Sequence, residues 1–288
     1  MVHHLHFPTN TALKRERIYI RHHMTEWQDS WPFHTHDGYE VYLFHQGNVN
    51  VIVGNEIYQM QPGDMLLFSG EVLHRPNPAQ DVPYVRSYIN FMADYIQEMA
   101  GENLHTKLIG LFSQPNGLLI RWDGKGLSDI DAHFAALIQE REKEAIGNEF
   151  MLQSLMVQLL LKIYRRSKEM YALLTAPTQS QKETNVRRIL QYLNQYYKNA
   201  ISLEGLSKEM HLNKYYMCHS FKEVTGLSIN NFITRRRIEE AKKLLRLSDE
   251  PVGNMSEHLG FTNPVHFSRM FKQHAGVSPQ VYRKMHRQ

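Results

Sequence analysis

The sequence predicts an α+β protein of two domains, in which a small β-barrel followed by helices precedes an all-helical domain. Short runs rich in Val, Ile, Tyr and Phe recur between residues 18 and 91 and are broken by Gly, Pro and Asn. Wide apolar patterns of helical period follow up to residue 166, and near the C-terminus one pattern repeats after 50 residues. The total of 288 residues fits two domains of ordinary size.

The N-terminal half begins with a polar segment and continues with predicted strands. Residues 1–17 show no periodic pattern, which is typical of a disordered terminus. The strands that follow are short, closely spaced and separated by turn residues, which indicates a sandwich or a small barrel able to enclose one small ligand. The predicted strands are Tyr39–His45, Val49–Val53, Ile57–Met60, Asp64–Phe68 and Val85–Phe91.

Polar side chains mark one part of this strand region. On an extended chain His34, His36 and Glu40 share a face, and His74 follows a later strand. Imidazole and carboxylate groups can bind Zn, Fe(II) or Mn, but they can also line a pocket or be satisfied by hydrogen bonds in the core. Tyr42 lies on the Glu40 face, and polar groups beside aromatic rings suit a polyhydroxylated ligand such as a sugar. We therefore predict that these five residues line a ligand pocket and that the protein holds no cofactor.

Helices are predicted after the strands. Between Met92 and Trp122 the pattern is mixed, and one helix and a last strand are expected there. Amphipathic helices are predicted at Leu127–Gly147 and Asn148–Tyr164. The apolar stripe of the second is wider than one face, which indicates burial against the barrel, in a dimer interface, or in both. Residues 167–182 are polar and contain a proline, as is typical of an interdomain linker. The helical domain is expected over residues 183–288.

The sequence of this last domain contains one short structural unit twice. Asn213 lies eight residues before Phe221, and Asn263 lies eight residues before Phe271, so both pairs repeat at an offset of 50. Each copy has the proportions of a helix-turn-helix unit, with a helix of about eight residues, a short turn and a second helix of about eleven. The Asn can cap the second helix, and a Gly follows at its end.

The second helix of each copy has a polar outer face. Such a face suits the major groove of DNA, because Lys and Arg can reach guanine and apolar groups can touch the thymine methyl group. The predicted DNA-binding residues are Asn213, Lys214, Tyr215, Cys218, His219 and Lys222 in the first copy, and Asn263, Val265, Ser268, Arg269 and Lys272 in the second.

The segment between the copies predicts a connecting helix at Asn230–Arg246. Its length of about 25 Å would place the two reading helices about 34 Å apart, which is one turn of DNA. One side of this helix is apolar, and the other carries Arg235, Arg236, Arg237, Lys242 and Lys243.

Charge is divided unevenly between the two halves. Residues 1–166 carry 14 Lys and Arg against 19 Asp and Glu, while residues 167–288 carry 19 against 10. This distribution predicts that the C-terminal half alone meets a polyanion such as double-stranded DNA. A single cysteine and the lack of a signal-peptide pattern predict a cytoplasmic location. The chain contains no apolar run of about 18 residues, so no contact with a membrane is expected.

The C-terminal repeat resembles a known domain. The run GF-x-N-x5-R-x-FK-x3-G-x-SP-x2-YR is similar to the DNA-binding domain of the AraC/XylS family of bacterial transcription regulators, and the resemblance covers about 100 residues. The sequence departs from the family at Cys218 and His219, where Ser and Arg are usual, and at Val265 and His266, where Ser and Tyr are usual. The matching positions are Gly260, Phe261, Asn263, Arg269, Phe271, Lys272, Gly276, Ser278, Pro279, Tyr282 and Arg283.

A second resemblance concerns the strand region. PFHTHDGYE followed by PGD and a later His is similar to the cupin barrel, whose metal-binding members use HxH, Glu and a distal His, although the second cupin motif is degenerate here. Together the resemblances imply an arm at residues 1–17 that docks over the pocket or on the DNA-binding half. They also imply a cupin-like ligand-binding and dimerisation domain at 18–166, a linker at 167–182 and an AraC-type DNA-binding domain at 183–288.

The function expected from these observations is that of a sequence-specific transcription regulator. We expect a homodimer that is not an enzyme and that responds to a small effector such as a sugar. The resemblance implies activation of transcription through contact with RNA polymerase. One alternative is a metal-dependent cupin enzyme using His34, His36, Glu40 and His74. Another is a nucleoid-type binder without base preference.

Overall fold

The computed structural model of the protein describes residues 8–26, 33–80, 82–171 and 180–286. A sheet-rich domain extends to Tyr171 and a helical domain begins at Gln181, so the predicted two-domain α+β architecture is confirmed. Among the helices in these ranges, none combines the length and the apolar character that crossing a bilayer would require.

The described residues of the first domain form two antiparallel sheets. One has five strands in the order β1-β7-β2-β5-β8, and the other has three in the order β4-β3-β6. The five predicted strands are present with ends shifted by one residue at most. The strands are β1 Ile18–Met24, β2 Tyr39–Gln46, β3 Val49–Val53, β4 Glu56–Gln59, β5 Asp64–Ser69, β6 His74–Pro78, β7 Val85–Phe91 and β8 Leu118–Arg121.

The five-stranded sheet separates two cores. Successive side chains on a strand point to opposite faces, so Val41 and Leu43 of β2 pack against the helices of this domain. Tyr42 and Phe44 face the other way, into the space between the two sheets, where further aromatic and aliphatic side chains bury them. The helices therefore cover one face of the sheet, and the smaller sheet covers the other.

The described residues of the first domain also contain four α-helices. Residues 8–16, which were expected to be irregular, form a helix whose Leu13 is buried. The predicted helix at 148–164 continues to Tyr171 and so takes in the first residues of the expected linker, while residues 172–179 lie outside the described ranges. The helices are α1 Pro8–Glu16, α2 Gln97–Ile109, α3 Gly124–Arg141 and α4 Asn148–Tyr171, with 3-10 turns at Ala93–Ile96 and Gly110–Phe112.

The helical domain contains the two predicted helix-turn-helix units. The connecting helix belongs to both cores of this domain, because Phe232 packs with Phe221 of the first unit and Leu245 packs with Phe271 of the second. The helices are α5 Gln181–Tyr196, α6 Leu203–Met210, α7 Lys214–Thr225, α8 Ile229–Leu247, α9 Val252–His258, α10 Pro264–Ala275 and α11 Pro279–His286.

The two domains share a hydrophobic core. Phe33 of the sheet-rich domain is buried against Phe232 of α8, with ring centroids 5.1 Å apart and planes nearly perpendicular. Ile52 and Leu73 of the same domain are buried with the apolar face of α5. Burial of this kind is strongly favourable, at about 25 cal/mol per Å² of apolar surface. The first helix-turn-helix unit is therefore packed directly on the sheet-rich domain.

Candidate nucleic-acid interface and buried polar cluster

The second helix of each unit begins and ends as the sequence predicts. The Oδ1 of Asn213 accepts hydrogen bonds from the backbone N–H groups of Tyr215 and Tyr216, at 2.9 and 3.3 Å. At the start of α10, Asn263 caps the backbone in the same way. The helices end at left-handed glycines, Gly226 and Gly276, with φ of 72° and 79°. Both Asn side chains named as DNA-binding candidates therefore have a structural role in capping.

The remaining candidates lie on the outer faces of α7 and α10. Lys214, Tyr215, His219 and Lys222 are exposed on α7, and Cys218 is half-buried. Val265, Arg269 and Lys272 are exposed on α10, and Ser268 is half-buried. The opposite faces are fully buried at Met217 and Phe221 and at Phe267 and Phe271. Each helix thus presents one polar ridge to solvent, as a reader of the major groove requires.

The basic side of α8 is not a continuation of this surface. Arg237 donates to the backbone carbonyls of Tyr197, Gly260 and Asn199 at 2.6 to 2.8 Å, and so joins the two units. Farther along the helix, Arg246 donates to Asp37 of the sheet-rich domain at 2.8 Å. This side of α8 therefore makes structural contacts within the helical domain and with the sheet-rich domain, which its basic composition alone did not predict.

Three of the predicted pocket residues form a buried polar cluster between the two sheets. The Nε2 of His36 lies 2.9 Å from Oε2 of Glu40, and Asn90 donates to the same carboxylate oxygen at 2.8 Å. His74 donates from Nδ1 to the carbonyl oxygen of Val72 at 2.7 Å. Its buried Nε2 has no hydrogen-bond partner among the described residues and lies 3.9 Å from Oε2 of Glu40.

The other two predicted pocket residues have different surroundings. His34 lies beside this cluster, where its backbone pairs with that of His74 and the two rings are 4.3 Å apart. Tyr42 is buried, and its hydroxyl lies 2.6 Å from that of Tyr84. Asn90 was not among the residues predicted from the sequence, although a polar residue between Ile89 and Phe91 of a buried strand is a signal of such a site.

Burial and charge set the protonation of the cluster. Burial alone would raise the pKa of Glu40, but the hydrogen bond and charge of His36, together with the hydrogen bond from Asn90, bring it below its usual value. Burial lowers the pKa of His74 well below its usual value, and the neighbouring His34 and His36 lower it further. The cluster therefore offers an ionised carboxylate and a neutral imidazole, both able to accept hydrogen bonds from a ligand or to bind a divalent metal.

The segment that carries His34 and His36 also touches the helical domain. Thr35, between the two histidines, donates from Oγ1 to Oε2 of Glu239 on α8 at 2.6 Å. Asp37 accepts from Arg246 of the same helix. Alternate side chains of one segment therefore meet the buried cluster on one side and α8 on the other.

Strand β6 shows the same alternation. Its first residue, His74, belongs to the buried cluster, and the next, Arg75, is itself buried and donates from Nη1 to the carbonyl oxygen of Thr225 at 3.0 Å. Asn77 donates from Nδ2 to the carbonyl oxygens of Glu223 and Val224, at 3.2 and 3.1 Å. These carbonyls belong to the last turn of α7, where the helix itself provides no N–H donors for them and where its dipole favours a cation.

The contact at the end of α7 leaves no space for a larger residue. A Cβ added at Gly226 would lie 2.5 Å from both Arg75 Nη1 and Asn77 Oδ1. A polar cleft of about 430 Å³ runs beside this contact, and Lys222 of α7 is among the residues that line it. One of the predicted DNA-binding residues thus lies at the boundary between the domains.

Comparison with known proteins yields two family models. The AraC-like ligand binding domain matches residues 18–160, and a helix-turn-helix domain matches residues 206–285. The chain is 36% identical to an uncharacterised HTH-type regulator, YdiP of Escherichia coli, over 103 residues, which are 36% of this chain and only 34% of that protein. It is 25% identical to the HTH-type transcriptional activator RhaR of Pectobacterium atrosepticum, over 89% of this chain and 87% of RhaR. It is 24% identical to the arabinose operon regulatory protein of Salmonella typhimurium, over 85% of this chain and 83% of that protein.

Proposed function

The chain belongs to the AraC family of transcription regulators, and on that premise we propose that it binds DNA at specific sequences and controls transcription in response to a small ligand. The observation that carries this proposal is the pair of capped helices, α7 and α10, whose polar faces are exposed within one domain. In this proposal both helices enter successive major grooves of one DNA segment, about 34 Å apart. Arg269 reads a base, because its guanidinium can bind guanine in a bidentate manner, and Lys272 contacts phosphate.

The proposed effector is a polyhydroxylated molecule such as a sugar. The Glu40 carboxylate and the unpartnered Nε2 of His74 both accept hydrogen bonds, and they match the hydroxyl donors of such a ligand. His34, His36 and Tyr42 complete the proposed site. The similarity to a protein named as an arabinose operon regulator favours the same class of ligand.

We propose that ligand binding is transmitted to the helical domain by two segments, residues 34–37 and strand β6, whose alternate side chains contact the buried cluster and the helices. A ligand that displaces His36 or His74 also moves Thr35 and Arg75, which contact α8 and α7 from the same stretches of backbone. For the ligand to change DNA binding it must favour one domain arrangement over the other by a difference in binding free energy. In this proposal, the ligand changes the domain arrangement by strengthening or weakening the contacts at the end of α7.

The remaining parts of the proposal concern partners. Activation through RNA polymerase is favoured by the similarity to a protein named as a transcriptional activator. A homodimer is favoured by apolar side chains at the start of α4 and just before it, since Ile146, Phe150 and Met151 are exposed. A second copy of the chain would cover them.

The DNA-binding proposal can be tested without knowing the operator. Full-length protein is used to select binding sites from a random duplex library, and the selected site is footprinted. Protection of two major grooves about one DNA turn apart is expected, with the complex resisting unrelated DNA at physiological salt. Protection of one groove, or equal competition by unrelated DNA, would contradict the proposal.

The effector proposal has a separate test. A panel of sugars is screened by thermal shift on the full-length protein, and a binding sugar should raise the midpoint of unfolding by mass action. The shift should be lost in Glu40→Gln and kept in Glu102→Gln, a matched change on the exposed side of α2. A shift that both variants keep would place the ligand elsewhere.

A further inference from the structure

A second cluster of histidines lies on the opposite face of the five-stranded sheet from His36. It consists of His22 and His23 of β1, His45 of β2 and Asp131 of α3, and is called here the His–Asp cluster. The Nε2 atoms of His22 and His23 lie 3.0 and 2.8 Å from Oδ1 of Asp131, and Nδ1 of His45 lies 3.8 Å from it. All four donor atoms lie within 4.8 Å of one another, so one ion can reach them all.

An irregularity in β1 brings two adjacent histidines to the same side. Arg21 pairs with Tyr88, but Met24 pairs with Arg86, so the register shifts between Arg21 and Met24. His23 has a φ of 50°, in the left-handed region that residues other than glycine rarely adopt. In a regular strand the side chains of His22 and His23 would point to opposite faces. Bulges and unusual backbone conformations of this kind concentrate at functional sites.

A buried serine contacts two of the histidines, His23 through its backbone and His45 through its imidazole. The Oγ of Ser87, on β7 between β1 and β2, accepts from the backbone N–H of His23 at 3.0 Å and lies 2.7 Å from Nε2 of His45. When Nε2 of His45 donates to Ser87, its Nδ1 carries the free lone pair and faces Asp131. Metal-binding histidines are commonly held in this way by a partner on their second nitrogen.

The side chains of the cluster interact with one another and are partly open to solvent. Burial, and then the charge of His23, lowers the pKa of His45 to about 4. Burial would raise the pKa of Asp131, but hydrogen bonds from His22 and His23 bring it below its usual value. The His23 side chain is 51% exposed and provides a route from solvent.

We propose that the His–Asp cluster binds one divalent late transition metal ion, such as Zn²⁺, through Nε2 of His22 and His23, Nδ1 of His45 and one carboxylate oxygen of Asp131. Three imidazoles and a carboxylate form a suitable donor set for such an ion. Tetrahedral coordination with bonds of about 2.0–2.2 Å places ligand atoms about 3.3–3.6 Å apart. The three imidazole nitrogens lie 2.8 to 3.8 Å from Oδ1 of Asp131, so side-chain shifts of less than about 1 Å bring them to these separations. The ion would join β1 and β2 to α3 and thereby fix the helical layer on the sheet.

The proposal is tested on full-length protein from which metal has been removed with a chelator and dialysis. Titration calorimetry with Zn²⁺ should show one equivalent bound at this cluster, and Co²⁺ should give the visible absorption of a four-coordinate site. Binding should be abolished in His23→Asn, which tolerates the left-handed backbone, and in Asp131→Asn. Ser87→Ala should keep the site but weaken it about 10- to 100-fold, since it removes only the orienting partner.

Control variants separate this cluster from other histidines. Zn²⁺ binding should persist in His36→Ala, which alters the other candidate cluster, and in His258→Ala, which alters an exposed histidine beside Glu250. It should also persist when His3, His4 and His6, which lie outside the described residues, are all replaced by Ala. Loss of binding in any of these controls, its survival in Asp131→Asn, or no binding to the parent protein would overturn the proposal. Circular dichroism confirms that each variant is folded.

Discussion

Replacing Asn77 by Ala tests whether the sheet-rich domain restrains the first reading helix. Asn77 donates to the carbonyl oxygens of Glu223 and Val224 in the last turn of α7. A hydrogen bond contributes about 0.5–1.5 kcal/mol net, and water can partly replace these two because Asn77 is half-buried. We expect Asn77→Ala to weaken domain docking by about 1–2 kcal/mol, a factor of roughly 5–30 in the docking equilibrium.

The assay is the affinity of ligand-free, full-length protein for its selected DNA site, measured by fluorescence anisotropy. If the docked arrangement binds DNA weakly, Asn77→Ala should raise this affinity by up to about 5–30-fold and reduce the effect of the ligand by the same factor. Asn50→Ala is the matched control, because Asn50 pairs with Asn77 across β3 and β6 and lines the same cleft.

Two results would refute this reasoning. Unchanged DNA affinity together with lower thermal stability would show that the contact only packs the domains together. A fall in affinity in Asn77→Ala, with Asn50→Ala unaffected, would show that the docked arrangement is the one that binds DNA. In that case the contact at the end of α7 would support the reading helix, and the sign of the proposed coupling would be reversed.

The remaining predictions concern the helical domain. Arg269→Ala should cost about 1–3 kcal/mol on the selected site and relax specificity at one base position, as competition with single-base variants of the site would show. Lys272→Ala should weaken binding uniformly across sequences and reduce the slope of log affinity against log salt by about one. Asn263→Ala should lower the free energy of unfolding by about 1 kcal/mol, as urea titration would show, because α10 loses its cap. Burial, and then the charge of Arg235, lowers the pKa of His274 to about 4, so the unfolded chain takes up the proton first and stability falls as pH decreases from about 6.5 toward 4. At pH 5 this effect amounts to about 1–2 kcal/mol after allowance for partial exposure, and urea titrations at pH 7 and 5 should show that His274→Gln loses that part of the dependence.

The parts of the fold that the sequence predicted are those with local, periodic signals. The strands from β2 to β5 alternate apolar residues between clear turns, and the two helix-turn-helix units carry their own caps. Strand β6 was missed because it contains Pro76 and Pro78, which argue against a strand. It is tolerated because β6 lies at the edge of the three-stranded sheet. The proline content of β6 therefore prevented the prediction of the strand that connects the buried cluster with α7.

The His–Asp cluster could not be predicted from the sequence for a different reason. His22 and His23 are adjacent, and a regular strand would send their side chains to opposite faces. Only the shifted register and the positive φ of His23 bring them together. Asp131 lies more than a hundred residues away on α3, so no local pattern connects it with them. By contrast, His36 and Glu40 lie close in the chain, and a period of two was enough to place them on one face.

The two helix-turn-helix units are alike in sequence but unequal in their surroundings. The end of α7 is held by Arg75 and Asn77, whereas α10 packs against α8, α9 and α11 of its own domain. A ligand that acts through β6 therefore acts first on the helix that reads one half of the DNA site. We expect the ligand to change protection of the groove read by α7 more than that of the groove read by α10. Equal changes in both grooves would mean that the helical domain moves as one body, through α8 and its contacts with Thr35 and Asp37.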